Sequence, residues 1–515
     1  MKKIFNKICL IAVAGAFAAA LLPSCDKWLE ATSSSQIPDS KLFSTRSGFH
    51  EALTGVYLDM GAMNAYGGLY TWLLNDLISC PYVVQTSEFY RAFQQHRFTT
   101  DVADPYIEDM WLAGYNIIAN ANKTLYELEN RRDVVTDETE YRLIRGELLA
   151  IRAYVHFDLM RMFGLESWTG ENATCMAVPY QTAYSSAPPE QHTYAATAEL
   201  LLQDVTEALS LLEVDPVRGE TPSGFNETVN TDGYWTDRQK HLNYYAAEAL
   251  AARICLWNTS YSEAARYAAD VVDGAFSNGL VRWIDADALV KESNYDKRDW
   301  TFSCEHLFSL EVTNLYDNLK PYVFAGTISS SSDGLFLLAE SVNQIFLDYP
   351  FYGVVPGSED IRGPACLLSY TANGYVCNKF YSSTGYDRAY RSRMPMIRLS
   401  EMYYILAENA LRTFDDAGAI RYLDEVRTHR GITSSVGDIL DPTSQDVWNR
   451  ELLQQELFNE YLRECLGEGQ FLYCVKRLHA WGMSHFLSPI TLLPVSRLEY
   501  PYPTAEITYG RIQDK

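Results

Sequence analysis

Residues Leu148 to Gly164 read LLAIRAYVHFDLMRMFG, with Leu148, Ile151, Val155, Leu159, Met162 and Phe163 recurring at offsets of 3, 4 and 7. That spacing paints one face of a helix with apolar side chains, and Gly164 stands where such a helix stops. A chain with this period folds by laying helices against helices. The same period recurs over Trp111 to Glu129, Tyr194 to Leu212, Tyr244 to Trp257, Tyr261 to Asp273, Met402 to Arg412, Ala417 to Arg430 and Asn449 to Lys476. The spacing therefore predicts a mainly α fold.

Two of these helix pairs use one design twice. In AAEALAARICLWNTSYSEAARYAADVV, Ala252 precedes Ala264 by twelve residues, and in MYYILAENALRTFDDAGAIRYLDEVRTHRG, Ala407 precedes Ala419 by the same interval. Small residues at that interval let two antiparallel helices approach closely, as tetratricopeptide hairpins require. The hairpins are scattered among insertions rather than repeated at a strict period, so they are expected to scaffold something else. One insertion, about 280–391, replaces helical period with Gly, Ser, Pro, aromatics and short β-like runs, as in VTNLYDNLKPYVFAGTISSSSDG. A second irregular stretch, Tyr66 to Tyr106, contains GGLYTWLLNDLISCPYVVQTSEFYRAF. Loops on a rigid scaffold usually carry recognition groups, which makes these two stretches the candidate binding regions. No Ser/Gly-rich or Pro-rich linker divides the chain, so residues 25–515 are expected to form one large domain or closely fused lobes.

Lys2, Lys3 and Lys7 precede an apolar run from Ile8 to Leu22, which is the plan of a signal peptide over residues 1–24. About 15 residues rise only about 22 Å as a helix, short of the roughly 30 Å hydrocarbon core, so the run should not persist as a span. LPSC at Leu22 to Cys25 resembles a bacterial lipobox, which would make Cys25 the first mature residue and the site of lipidation. The alternative is a plain secretory leader with an incidental cysteine.

The net charge of -24 makes nucleic acid and anionic phospholipid poor partners, since both would be repelled. Aromatic residues reach 13%, with 36 tyrosines, whose flat faces and polar tips suit either sugar recognition or a Tyr-rich helical core. After Cys9 and Cys25 the remaining cysteines lack any C-x-x-C pair, so neither zinc nor a redox motif is indicated. Cys465 and Cys474, read on one helix, would lie on opposite faces about 13 Å apart along the axis and could not bridge. Cys366 and Cys377 flank a loop-like stretch and could.

No H-E-x-x-H, G-x-S-x-G, P-loop or G-x-G-x-x-G element occurs, and no two histidines stand at i,i+4. No catalytic residue, cofactor or metal site is therefore assigned, and the chain is read as a non-enzyme. TVNTDGYWTDRQ brushes against a calcium loop, but placing Gly233 at position six puts Thr228 and Gln239 at the first and last ligand positions, which excludes an EF-hand.

The chain resembles the SusD/RagB family of outer-membrane nutrient-binding lipoproteins over nearly its whole length. CDKWLE from Cys25 matches the family's opening, Trp111, Tyr115, Ile118 and Asn122 match its aromatic helix, and Arg152 to Gly164 matches its RAYxxFDLxRxFG element. Arg398, Leu399, Glu401, Tyr404, Ala407 and Glu408 look like its RLAEvyLiyAEA helix, and Val426, Arg427, Arg430 and Gly431 like the segment after it. The late ERxxELxxEGxRxxDLKR element is kept only by Glu456, Glu460, Glu468, Gly469, Lys476 and Arg477, with Gln470 and Cys474 where Arg and Asp are usual.

The resemblance implies tetratricopeptide-like helical hairpins carrying a loop-rich insertion, on the outer face of a Bacteroidetes-type outer membrane. It implies a non-catalytic subunit that binds a nutrient, typically an oligosaccharide, for a TonB-dependent SusC-like transporter. The alternatives are a structural lid of that transporter, or a peptide-binding relative with little glycan affinity. Carried onto this chain, the first ligand contacts fall on Phe98, Asp101 and Tyr106, with Arg97 nearby. The second set falls on Trp300, Tyr316 and Tyr322. Arg152, Arg398 and Glu408 read instead as structural ion pairs.

Overall fold

The computed structural model describes residues 38–83, 86–294, 297–324, 333–346, 359–381, 390–440, 446–480, 498–510 and 512–513. The leader and Cys25 lie outside the described residues. The fold is mainly helical. Its principal helices are α1 (Arg46–Met60), α2 (Asp104–Asn130), α3 (Glu138–Phe163), α4 (Tyr194–Leu211), α5 (Tyr244–Trp257), α6 (Tyr261–Ser277), α7 (Leu399–Arg412), α8 (Asp416–Thr428), α9 (Asp446–Cys465) and α10 (Phe471–Ala480). From α2 to α8 each packs on the next, and α6 packs on α7 across more than a hundred intervening residues. The helical stack is thus continuous in space, and the insertion is looped out from it. At the two hairpins Ala252, Ala264, Ala407 and Ala419 are all fully buried, as close helix approach demands.

Helix α3 differs from an amphipathic expectation, because every residue from Gly146 to Phe163 is buried, not one stripe. Its polar side chains must therefore be paired inside. Arg152 forks onto Asp204 at 2.7 and 2.6 Å and also donates to Asn122 Oδ1 at 2.9 Å. His156 Nε2 accepts the Gln181 backbone N–H at 3.0 Å, and burial depresses its pKa to about 3, so the ring is neutral. Glu147 takes Arg238 at 2.5 Å, His241 Nδ1 at 2.9 Å and the Tyr57 hydroxyl at 2.7 Å. Asp137 caps the start of the helix by accepting the Thr139 and Glu140 amides. At its end Lys476 donates to the Arg161 and Gly164 carbonyls at 2.6 and 2.9 Å. Gly164 has no room for a side chain, because a Cβ would stand 2.3 Å from the Met160 oxygen.

The stretch Asn449 to Lys476, read as one helix, is two. Gly467 and Gly469 adopt φ of +82° and +72° between α9 and α10, and both amides donate to Asp76 at 2.9 Å. Cys465 and Cys474 accordingly sit on different helices, so the single-helix reason against their pairing fails; both are free thiols, as are Cys366 and Cys377. The possible Cys366–Cys377 bridge is not formed. The hairpin registers Leu368 opposite Cys377, which leaves Cys366 beyond the ladder, where its sulfur takes the Arg298 guanidinium.

Five short strands come from the insertion and its exit: β1 (His306–Glu311), β2 (Phe336–Leu337), β3 (Leu368–Thr371), β4 (Gly374–Cys377) and β5 (Arg393–Arg398). β1 pairs antiparallel with β5, and β2, β4 and β3 form a three-stranded sheet in that order. Buried ion pairs fasten this region to the scaffold. Glu460 on α9 takes Arg362 at 2.8 Å and the Tyr404 hydroxyl at 2.9 Å. Arg430, fully buried, bridges Glu464 of α9 at 2.7 Å and Glu305 at the foot of β1 at 2.5 Å. Arg398 pairs with Glu464 and Glu468, and Glu408 with Arg412 and Arg477, so these charges are structural. Among the described residues no helix is long and apolar enough to cross a membrane.

Candidate ligand-binding site

The two irregular stretches meet. Val83 N donates to the Phe336 carbonyl at 2.7 Å, Tyr82 bridges to Leu337, and the Ser87 amide reaches Asp333 at 3.3 Å. These contacts sew β2 of the insertion, and Asp333 just before it, onto the segment after Leu74–Ser79. They bring Tyr322, which follows the short helix Leu315–Leu319, against the short helix Glu88–Gln94. The Tyr90 hydroxyl donates to the Tyr322 carbonyl at 2.9 Å and fixes the approach.

An aromatic cluster results. Phe89 stands edge-on to Tyr106 of α2 with centroids 5.1 Å apart, and its ring lies 5.7 Å from Tyr322. Trp72, buried beneath and donating its indole N–H to the Gly67 carbonyl, stands 6.1 Å from Tyr322. Phe93 completes the floor, 5.4 Å from Phe89 and 6.2 Å from Tyr106. Phe89, Tyr106 and Tyr322 are half-buried, with Phe89 packed between the other two. Partial burial, the Tyr322 ring and Asp109 raise the Tyr106 pKa, which keeps its hydroxyl protonated and able to donate near neutral pH. Beside this cluster Tyr316, also half-buried, lies 5.6 Å from Tyr381 and 5.9 Å from Phe324.

Of the residues expected to touch ligand, the structure brings Tyr106 and Tyr322 into one cluster and places Tyr316 in the neighbouring one. Arg97 pairs with Glu88 at 2.9 Å, one residue before Phe89. Asp101 is exposed. Two expectations require correction. Phe98 is 7% exposed and packs on Tyr500 at 5.1 Å, and Trp300 is 1% exposed beside Arg298, so both are core side chains without a free face. Phe89 joins the cluster beyond the expected residues, and its one mark in the sequence is its i,i+4 spacing with Phe93 in SEFYRAF. Among the described residues no group of three or more His, Cys, Asp and Glu side chains is placed to hold a metal.

Comparison with known families adds two matches. A SusD-like family described as starch-binding, associating with the outer membrane, matches residues 27–221. The SusD family itself matches residues 356–491, so the two segments together span well over half of the sequence. The chain belongs to the SusD family. Among solved structures, a SusD superfamily protein from Bacteroides thetaiotaomicron aligns with a TM-score of 0.68 at 21% identity, covering 91% of this chain and 99% of its own. A SusD-like carbohydrate binding protein from Bacteroides vulgatus gives 0.59 at 16% identity over 84% of each chain. A SusD-like protein from Bacteroides fragilis gives 0.60 at 16% identity, covering 92% of this chain and 96% of that one. At these identities the likeness is one of fold. A comparison with curated protein sequences finds no match.

Proposed function

We propose that this SusD-family chain is a non-catalytic surface lipoprotein that captures an oligosaccharide on the Phe89–Tyr106–Tyr322 face and passes it to a TonB-dependent SusC-like transporter. The observation that carries the reading is the meeting of these three half-buried rings from three separate segments, one of them the insertion. Flat rings stack on the C–H faces of sugar rings, and the Tyr106 and Tyr322 hydroxyls supply polar ends to the same guest. Arg97, paired with Glu88 beside Phe89, and the exposed Asp101 are assigned to the hydroxyls of an extended ligand. The carbohydrate-binding description of the B. vulgatus neighbour and the family's outer-membrane description support the same reading. The net charge of -24 favours neutral over polyanionic glycans. The Cys25 lipid tethers the domain to the outer membrane, facing outward, with residues 1–24 removed.

Calorimetric titration of residues 26–515 with a panel of neutral oligosaccharides tests the reading. Saturable binding without turnover, weakened at least tenfold in both Tyr322→Ala and Tyr106→Ala, supports it. Absence of binding to every glycan in the panel, or unchanged affinity in both variants, overturns it.

A further inference from the structure

A second concavity lies on the scaffold and shares no residue with the aromatic cluster. It is a cleft of about 480 Å³, within the range of small-molecule sites, walled by the turn at Pro216, the stretch Trp235 to Gln239 and the turn at Asn278 to Leu280. One wall is the π-helical turn Phe225–Val229. The opposite wall is stiff. Asn278 Nδ2 donates to the Tyr245 hydroxyl at 2.6 Å, and Gly219, at φ +91°, passes so close that a Cβ would stand 2.4 Å from Asn278 Oδ1.

The charges around the cleft cancel locally. Arg238, which lines it, is buried and spends its guanidinium on Asp215 at 3.0 Å and Glu147 at 2.5 Å. Asp237 is met by Lys240 at 3.2 Å and Arg393 at 3.6 Å. What remains for a guest is neutral hydrogen-bonding capacity. Thr221 and Asn226 are exposed and make no hydrogen bond among the described residues. Gln239 commits its Nε2 protons to the Leu280 and His306 carbonyls at 3.1 and 2.8 Å, which leaves its Oε1 as an acceptor. Trp235, 1% exposed, backs the same cleft. Apolar edges of Val217, Phe225 and Leu280 complete the lining.

We infer that this cleft is a second ligand site, for a neutral mono- or disaccharide, distinct from the aromatic face. Amides and hydroxyls beside apolar edges match a molecule whose hydroxyls alternate with C–H groups. An ionic ligand would find no unspent charge to pair with. The inference extends the glycan-capture reading to a second place on the molecule, and its test separates the two.

The test is hydrogen–deuterium exchange of residues 26–515 with saturating maltose, cellobiose, lactose or mannobiose, read separately over 216–239 with 278–280 and over 86–106 with 315–324. At least one sugar should protect 216–239 and 278–280. Asn226→Trp and Thr221→Trp, each filling the cleft from an exposed position, should each weaken that protection at least tenfold in sugar concentration, while Tyr322→Ala leaves it intact. Absence of protection over the cleft with all four sugars overturns the inference, and so does protection that survives both tryptophan variants. Loss of protection over 86–106 alone in Tyr322→Ala reports on the aromatic face and leaves the cleft result to stand by itself.

Discussion

Replacing Arg430 with Met tests how the insertion that carries Tyr322 is held on the scaffold. The guanidinium donates to both oxygens of Glu305, 125 positions away in sequence, at 2.8 and 2.5 Å, and to Glu464 at 3.1 and 2.7 Å. Met keeps the apolar bulk against Phe302, whose ring lies 4.6 Å from the guanidinium carbon, so the change removes charge with little loss of packing. Glu464 retains Arg362 and Arg398, whereas among the described residues Glu305 retains only the Ile284 amide. Leaving one buried carboxylate without its cation costs about 3–5 kcal/mol. With an unfolding entropy of about 2.1 cal/mol/K per residue, a folded unit of about 480 residues moves by about 1 °C per kcal/mol, so Tm should fall by about 3–5 °C. Adding Glu305→Met removes the stranded charge, so the double variant should regain at least half of the loss. Differential scanning calorimetry of the parent, both single variants and the double reads the whole cycle. A shift under 1 °C in Arg430→Met, or a double variant no better than the sum of the singles, refutes the reasoning.

Glu147 carries a pH dependence: burial alone would raise its pKa, but His241 and Arg238 hold it down at about 2, below the ordinary 4.5. Its contribution of about 3 kcal/mol is therefore present above pH 4.5 and is lost as pH falls toward 2. Urea midpoints measured across that window should flatten in Glu147→Gln, and an unchanged slope contradicts the assignment. Trp300→Ala should lower stability by about 3–5 kcal/mol, read by urea unfolding, while leaving glycan affinity unchanged, because the side chain is core and not site. Cys25→Ala should move the protein from the membrane to the soluble fraction with folding and glycan binding intact, and unchanged fractionation would show that the tether lies elsewhere.

Helices were legible in the sequence because their period is local. Tyr244–Trp257 is found with the bounds the spacing predicts, and the other long segments differ mainly at their ends. The exception, α9 with α10, followed an unbroken apolar period across LGEG, where two left-handed glycines end one helix before the next begins. The RAYxxFDLxRxFG element marked the fold reliably because its polar residues are core partners: Arg152 meets Asp204 and Asn122, and Asp158 meets Arg161. The site was legible only as two irregular stretches. What joins them is a two-residue strand and main-chain bonds to Tyr82 and Val83, which leave no pattern in side-chain type. Phe98 and Trp300 read as exposed from sequence but are core. Phe98 is covered in part by Tyr500, a partner distant in sequence, and neither burial is marked by the side chains beside Phe98 or Trp300, which read as loop.

The central claim is that an oligosaccharide seats on three rings drawn from separate segments, and a crystal structure of residues 26–515 with the tightest-binding neutral oligosaccharide tests it most directly. The account predicts a sugar ring within stacking distance of Phe89, Tyr106 or Tyr322, with the Tyr90–Tyr322 hydrogen bond retained. An oligosaccharide bound only at surfaces that touch none of these three rings would contradict it.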